Sequence, residues 1–219
     1  MLKVKICGLN TRESVTAAVD GGASHVGFIF YPPSPRAVTP ERAGEIASGA
    51  PGSVARVAVF VDPSDQEIDA VVQALSPAIL QLHGAETPER IDAVKRRFGL
   101  PVMKAIRVST AMDIQAAKAY DGIADMFLFD AKPPKDAKGM LPGGNGLAFD
   151  WTLLAAFQGA TPWFLSGGLE LENVEQALSI SDAKAVDVSS GVEDRPGVKN
   201  PGKISAFLQT VKARNPTKS

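Results

Sequence analysis

The strongest constraint on the fold is a rhythm of alternating short and long segments. Short runs rich in valine, isoleucine and phenylalanine recur along the chain at LKVKIC (2–7), HVGFIF (25–30), VARVAVF (54–60) and AILQL (78–82). They continue at PVMKAI (101–106), MFLFD (126–130), WFLS (163–166) and AVDVS (185–189). The gaps hold longer segments with helical spacing, several opening on Ser, Thr or Asp, and TPER (39–42) places proline directly after a capping threonine. Strands alternating with helices in this way predict a parallel sheet, and about eight repeats is the number that closes a (β/α)8 barrel. An open doubly wound sheet is the competing architecture, because pattern alone does not establish closure.

The chain has 219 residues, which suits one large barrel domain over 1–214 with a frayed tail over 215–219. A formal net charge of -1 gives no electrostatic case for a nucleic-acid or membrane partner. The single cysteine, Cys7, excludes an internal disulfide and any metal site built on several cysteines. No apolar run reaches the roughly 20 residues of a membrane span, so the expected location is the cytoplasm.

Strand periodicity sorts the side chains. Leu2, Val4 and Ile6 share one face, leaving Lys3, Lys5 and Cys7 on the other, and Phe127 and Phe129 oppose Asp130 as Val186 and Val188 oppose Asp187. With the apolar faces against outer helices, Lys5, Lys104, Asp130 and Asp187 are expected inside the barrel, near the strand ends where barrel enzymes do chemistry. An unpaired ion there costs about 3 to 5 kcal/mol, so they must pair with each other or with a charged ligand. Lys5, Lys104 and Asp187 read as a structural polar core, whereas Cys7 and Asp130 close their strands and read as functional. His83 suits either a substrate contact or a structural role.

Small-residue loops follow the last two strands, LSGGLELENV and VSSGVEDRPGVK. Glycines let backbone N–H groups approach phosphate oxygens, which makes Gly167, Gly168, Ser190 and Gly191 candidate anion ligands. PGGNG, with Gly144 and Gly146, is either a third phosphate contact or a hinge, and it lacks the Walker ending. Arg36, on the proline-rich loop YPPSPRAV, is either a bidentate carboxylate ligand or a surface arginine.

Taken in order, KICGL, GFIFYPPSPR, VAVFVD, QLHG, KAI, LFDAK, PGGNGLAFDW, LSGGL and VDVSSGVEDRPGVK resemble the phosphoribosylanthranilate isomerase family over nearly the whole chain. The resemblance implies an Amadori rearrangement of N-(5-phosphoribosyl)anthranilate to 1-(2-carboxyphenylamino)-1-deoxyribulose 5-phosphate in tryptophan biosynthesis, without metal or organic cofactor. It implies Cys7 as general base, Asp130 as general acid and Arg36 as the contact for the anthranilate carboxylate. The base role asks for a thiol pKa below about 8.5, helped by cationic neighbours. The chain departs from the family at Asn145, where threonine or serine is common, and at Asn200, where PGxKD is usual. The small phosphorylated substrate is the expected partner, and the assembly is either monomer or homodimer. A related isomerase of histidine biosynthesis is the second enzymatic reading. Barrels that act on both substrates are expected to carry paired aspartates at strands one and six, whereas strand one ends here in Cys7. A non-catalytic phosphate-binding barrel would bind without turnover.

Overall fold

The computed structural model describes residues 2–133, 141 and 143–214. The tail 215–219 and most of the loop after the sixth strand, 134–140 and 142, lie outside the described residues. Eight parallel strands form a closed barrel: β1 (Lys3–Cys7), β2 (His25–Phe30), β3 (Ala55–Phe60), β4 (Ile79–Leu82), β5 (Val102–Val108), β6 (Met126–Ala131), β7 (Trp163–Leu165) and β8 (Ala185–Val188). Pairing of β1 with β8, Lys5 opposite Asp187 and Ile6 opposite Val188, removes both sheet edges and rules out the open doubly wound alternative.

The outer helices are α1 (Arg12–Asp20), α2 (Pro40–Ala47), α3 (Asp65–Leu75), α4 (Pro88–Phe98), α5 (Ala111–Ala116), α6 (Val174–Ser181) and α7 (Pro201–Ala213). Their starts follow from sequence chemistry. Thr39 and Thr87 accept from the N–H groups of Arg42 and Arg90, each followed by proline, and Ser64 forms a reciprocal capping box with Glu67. Each cap satisfies an otherwise orphaned donor and stabilises its helix by about 1 kcal/mol. The segment FDWTLLAAF, one of the gap segments with helical spacing, forms a 3-10 segment over Trp151–Ala156 instead of an α-helix. Asp150 there accepts from the N–H and hydroxyl of Thr152, two residues on, which favours a tight turn.

The two barrel faces separate as periodicity predicts. Val57, Val59, Ile79, Met103, Leu128 and Phe164 pack inside with Cys7, while Ile6, Phe28, Phe60, Phe127 and Phe129 pack outward under the helices. Lys104 departs from the expected placement. On β5 it is Met103 and Ala105 that turn inward, so Lys104 lies on the helix-facing side with Val102 and Ile106. Its Nζ donates to Glu86 Oε2 at 2.7 Å and to the Gly84 carbonyl at 2.8 Å, and it sits 5.9 Å from the Tyr120 ring centroid. The polar partner comes from the loop after β4, which periodicity within a strand does not reveal.

Inside, Lys5 is fully buried and donates to Asp187 Oδ1 at 2.8 Å, while Ser166 donates to Asp187 Oδ2 at 3.1 Å. A buried ion that loses its partner is destabilising by roughly 3 to 5 kcal/mol, whereas an apolar replacement of both partners is often tolerated. Asp187→Ala is therefore expected to lower the unfolding free energy in urea by about that amount, and Lys5→Met/Asp187→Leu to recover most of it. A single variant as stable as the parent would show that the pair does not stabilise the closed barrel.

His25 packs edge-on against Phe164, with ring centroids 5.1 Å apart, and Nδ1 lies 2.8 Å from the Ser24 hydroxyl. Burial, with Lys5 and Lys3 nearby, lowers its pKa to about 4. Above about pH 6.5 it is neutral in both folded and unfolded chains. Between pH 6.5 and 4 the unfolded chain takes up a proton that the folded one refuses, so stability falls with pH, by up to about 3 kcal/mol. His25→Gln should flatten this limb of the stability profile between pH 7 and 4, measured from urea midpoints. Parallel profiles for the two proteins would refute the assignment.

Candidate active site

The carboxyl ends of the strands surround a cavity enclosing roughly 770 Å³, including its mouth. Cys7, Arg36, His83, Asp130, Gly144, Gly146, Gly167, Gly168 and Ser190 all line it. Of the residues expected to catalyse or to bind substrate, Gly191 is the one that does not face this cavity. A Cβ on Gly191 would lie 2.0 Å from the Leu169 carbonyl oxygen, so this glycine lets the loops after β7 and β8 pack against each other.

Cys7 ends β1, and Gly8 follows at φ +76°, a backbone conformation that disfavours side chains. A Cβ at Gly8 would also stand 2.7 Å from Arg36 Cδ and 3.2 Å from Ser189 Oγ. Gly8 therefore turns the chain and makes room for Arg36. Burial pushes the Cys7 thiol up from its ordinary value; the Lys5 ammonium opposes this and Asp187 reinforces it, with a net upward shift. This reverses the expected depression, because desolvation in the closed barrel outweighs the cation. Burial alone would lower the pKa of Lys5, yet Asp187 and then Cys7 hold it above the ordinary lysine value. The ammonium is thus a permanent charge beside the sulfur.

Asp130 lies at the inward-facing end of β6, 4% exposed, with Oδ1 accepting from the Ala131 N–H at 2.9 Å. His83 Nε2 approaches its other oxygen, Oδ2, to 3.2 Å, while His83 Nδ1 lies 3.1 Å from Gln81 Nε2. The contact with Asp130 lacks the alignment of a full hydrogen bond, and the amide oxygen of Gln81 is buried without a partner. Gly143 closes over this pair: a Cβ there would fall 2.6 Å from Asp130 Oδ2 and 2.8 Å from His83 Nε2.

Arg36 is only 3% exposed, which removes the surface-arginine alternative. Its Nε and Nη2 donate to the two carboxylate oxygens of Glu193 at 2.7 and 2.8 Å, and Nη2 also reaches the Gly144 carbonyl at 3.1 Å. Glu193 opens a small hairpin, β9 (Glu193–Arg195) with β10 (Val198–Lys199), absent from the eight expected strands. Lys199 Nζ donates to Glu193 Oε1 at 2.7 Å and to the Ser189 carbonyl at 2.8 Å. Burial lowers the pKa of Lys199 to about 8, against Glu193, which raises it. Glu193 and Lys199 are site residues that the sequence reasoning missed. The available signal was EDR-PG-VK, two short extended runs around a Pro-Gly turn.

The glycine-rich loops form a further part of the cavity wall. Gly167, at φ +86°, would bring a Cβ within 2.7 Å of the Ala131 backbone nitrogen, so the loop after β7 lies directly on the end of β6. Among the described residues no protein group accepts from the N–H groups of Gly167, Gly168 or Ser190. Asn173 braces this loop, donating to the Gly168 carbonyl and accepting from the Glu170 N–H. Asn145 likewise spans its own loop, bonded to both the N–H and the carbonyl of Leu141. Free amides on a glycine wall suit an anion. Among the described residues no group of three or more His, Cys, Asp or Glu side chains is arranged to hold a metal ion.

Comparison with known proteins gives the same picture from outside the geometry. The family model for N-(5'phosphoribosyl)anthranilate (PRA) isomerase matches residues 4–210. The N-(5'-phosphoribosyl)anthranilate isomerase of Paracoccus denitrificans is 55% identical over 207 residues, 94% of this chain and 95% of its own. That of Paramagnetospirillum magneticum is 50% identical over 215 residues, 98% and 99% of the two chains. A crystal structure of phosphoribosyl anthranilate isomerase in complex with reduced 1-(o-carboxyphenylamino)-1-deoxyribulose 5-phosphate superposes with a TM-score of 0.82 at 35% identity, covering 97% of this chain and all of the other. A continuous match in sequence, barrel topology and strand-end cavity leaves one conclusion: the chain belongs to the N-(5'-phosphoribosyl)anthranilate isomerase family, enzymes of tryptophan biosynthesis.

Proposed function

We propose that this enzyme carries out its Amadori rearrangement with Asp130 as general acid and Cys7 as general base. The observation that carries the assignment is that these two strand-end groups, from β1 and β6, line one cavity whose wall also carries Arg36 and free loop amides. Bond breaking begins at the aminal of N-(5-phosphoribosyl)anthranilate. Asp130 gives its proton to the furanose oxygen as the C1'–O bond breaks, and the substrate's own nitrogen supplies the electron pair that makes the iminium. Cys7 as thiolate then removes the proton at C2', forming an enolamine that tautomerises to the ketone. No covalent bond to the enzyme is needed, because the substrate nitrogen already provides the Schiff-base chemistry.

The fixed Lys5 ammonium supports this role without competing for it. Burial disfavours the thiolate, which must form by loss of the thiol proton to solvent at the cavity before it can take the C2' proton, and the adjacent cation stabilises it once formed. On the substrate side, the unpaired amides of Gly167, Gly168 and Ser190 fit the phosphate, with Gly146 at the same wall. Arg36 fits the anthranilate carboxylate, Gly144 packs against its guanidinium, and His83 abuts the acid. The reduced product bound by the structurally similar isomerase supports a ligand with these phosphate and carboxylate ends. Homodimer is the favoured assembly, since a Thermotoga maritima isomerase of the same fold is described as dimeric. Cytoplasmic residence accords with the observation that no described helix is long and apolar enough to cross a membrane.

Loss of the intrinsic fluorescence of phosphoribosylanthranilate upon adding enzyme reports turnover directly. Cys7→Ser and Asp130→Asn should each reduce kcat by roughly two to four orders of magnitude with the far-UV spectrum and urea midpoint little changed. Near-parental turnover in either variant would remove that residue from the mechanism, and binding of substrate without turnover by the parent would favour a non-catalytic barrel.

A further inference from the structure

The cluster formed by Arg36, Glu193 and Lys199 has an unbalanced charge. Two cations share one carboxylate, and the side chains of Arg36, Glu193 and Lys199 are each no more than 3% exposed. Burial by itself would raise the Glu193 carboxyl, but Arg36 and Lys199 hold it below the usual carboxylate range. Its oxygens accept from Arg36 Nε and Nη2, from Lys199 Nζ and from the Gly197 N–H at 3.3 Å. Lys199 is fully engaged as well, with the Ser189 carbonyl and hydroxyl as its other partners. The surplus positive charge therefore finds its outlet at Arg36.

Guanidinium geometry decides where that outlet lies. An arginine has five N–H donors in a planar fork. Glu193 occupies the Nε–Nη2 edge, and Gly144 takes a further bond from Nη2. Among the described residues nothing accepts from Nη1, which lies against Gly144 at the cavity wall, 2.7 Å from where a Cβ on that glycine would stand. A carboxylate in the cavity meets the guanidinium through its Nη1 end. The Nε–Nη2 edge that a free arginine would offer for bidentate pairing is already taken.

We infer that Glu193 is the positioning and specificity-determining residue for the carboxylate end of the substrate: it clamps one edge of Arg36 and presents Nη1 alone to the cavity. The inference rests on the reading that Arg36 meets the anthranilate carboxylate. Glu193 acts through Arg36 and does not touch the reacting atoms. The β9–β10 hairpin is then the frame of this subsite, since it carries both Glu193 and the lysine that holds it.

The test uses two ligands, reduced 1-(o-carboxyphenylamino)-1-deoxyribulose 5-phosphate and its aniline counterpart without the carboxylate, titrated calorimetrically into the parent, Glu193→Gln, Arg36→Met and the double variant. Glu193→Gln should weaken the carboxylated ligand at least tenfold and the aniline ligand less than twofold. The double variant should bind no more weakly than Arg36→Met, because both changes remove one function. In turnover, Glu193→Gln should raise KM while kcat falls far less. Equal weakening of both ligands would make Glu193 a merely structural residue, and tighter binding of the carboxylated ligand would show that Glu193 competes with substrate for Arg36; either overturns the inference. An Arg36→Met variant that binds the carboxylated ligand normally overturns the Arg36 reading and this inference together. Loss in Arg36→Met with none in Glu193→Gln overturns this inference alone. If Glu193→Gln fails to fold, Glu193→Asp, which keeps the charge but shortens the reach, should show the same selective loss, and its absence counts against the clamp.

Discussion

The ion pair between Lys5 and Asp187 is the interaction on which the rest of the structure depends. It joins the first strand to the last barrel strand, 182 residues apart, inside a closed barrel where Lys5 is fully buried and Asp187 nearly so. Barrel closure and the chemistry of the site are consequently one problem. The register that sets Lys5 opposite Asp187 also sets Cys7 two residues beyond Lys5 on the same inner face, at the strand end. A slip of β1 by one residue would turn Lys5 and Cys7 toward the helices and leave Asp187 without its partner. Desolvation of the pair, which makes it structurally demanding, is also what lets a single ammonium act strongly on a neighbouring sulfur.

The same arrangement occurs a second time at the rim. Lys5 and Asp187 form a neutral pair braced by Ser166, and the charge there is balanced within the protein. Arg36, Glu193 and Lys199 leave one positive charge unbalanced, at a place open to the cavity. Among the described residues the glycine wall carries no side-chain cation, only amides whose hydrogen bonds are unfilled. A ligand with an aromatic carboxylate at one end and a phosphate at the other meets two different recognition chemistries. The asymmetry orients it, since a phosphate held by backbone amides and a carboxylate held by guanidinium are not interchangeable.

Much of this was legible in the sequence, and the misses share a cause. All eight barrel strands, the inward parity of Lys5, Cys7, Asp130 and Asp187, and the two glycine-rich loops follow from period-two alternation and turn residues, which are local properties. Lys104 was misplaced because a charged residue in a strand suggests the polar interior. Its true partner, Glu86, lies 18 residues away in a loop. The acidic anchor of Arg36 was missed for the same reason, being 157 residues distant. The shift of the Cys7 thiol depends on how completely the barrel excludes water, and a residue list does not state that. The family resemblance supplied roles for Cys7, Asp130 and Arg36, but it did not show how Arg36 is held.

Space around the sulfur follows from the same economy of volume. On β2 the residue paired with Cys7 is Gly27, and a Cβ there would lie 3.0 Å from Cys7 Sγ and 3.1 Å from Lys5 Cε. Contacts that short require the neighbour to move, and here the neighbours are the base and the cation that tunes it. The missing side chain at Gly27 thus lets thiol and ammonium share one small volume. Gly143 does the equivalent for Asp130 and His83, and Gly8 for Arg36. Three glycines in three different loops and strands each vacate a position beside charged or titrating groups. The wall of this site is therefore shaped as much by omitted Cβ atoms as by the polar side chains that fill the space they leave.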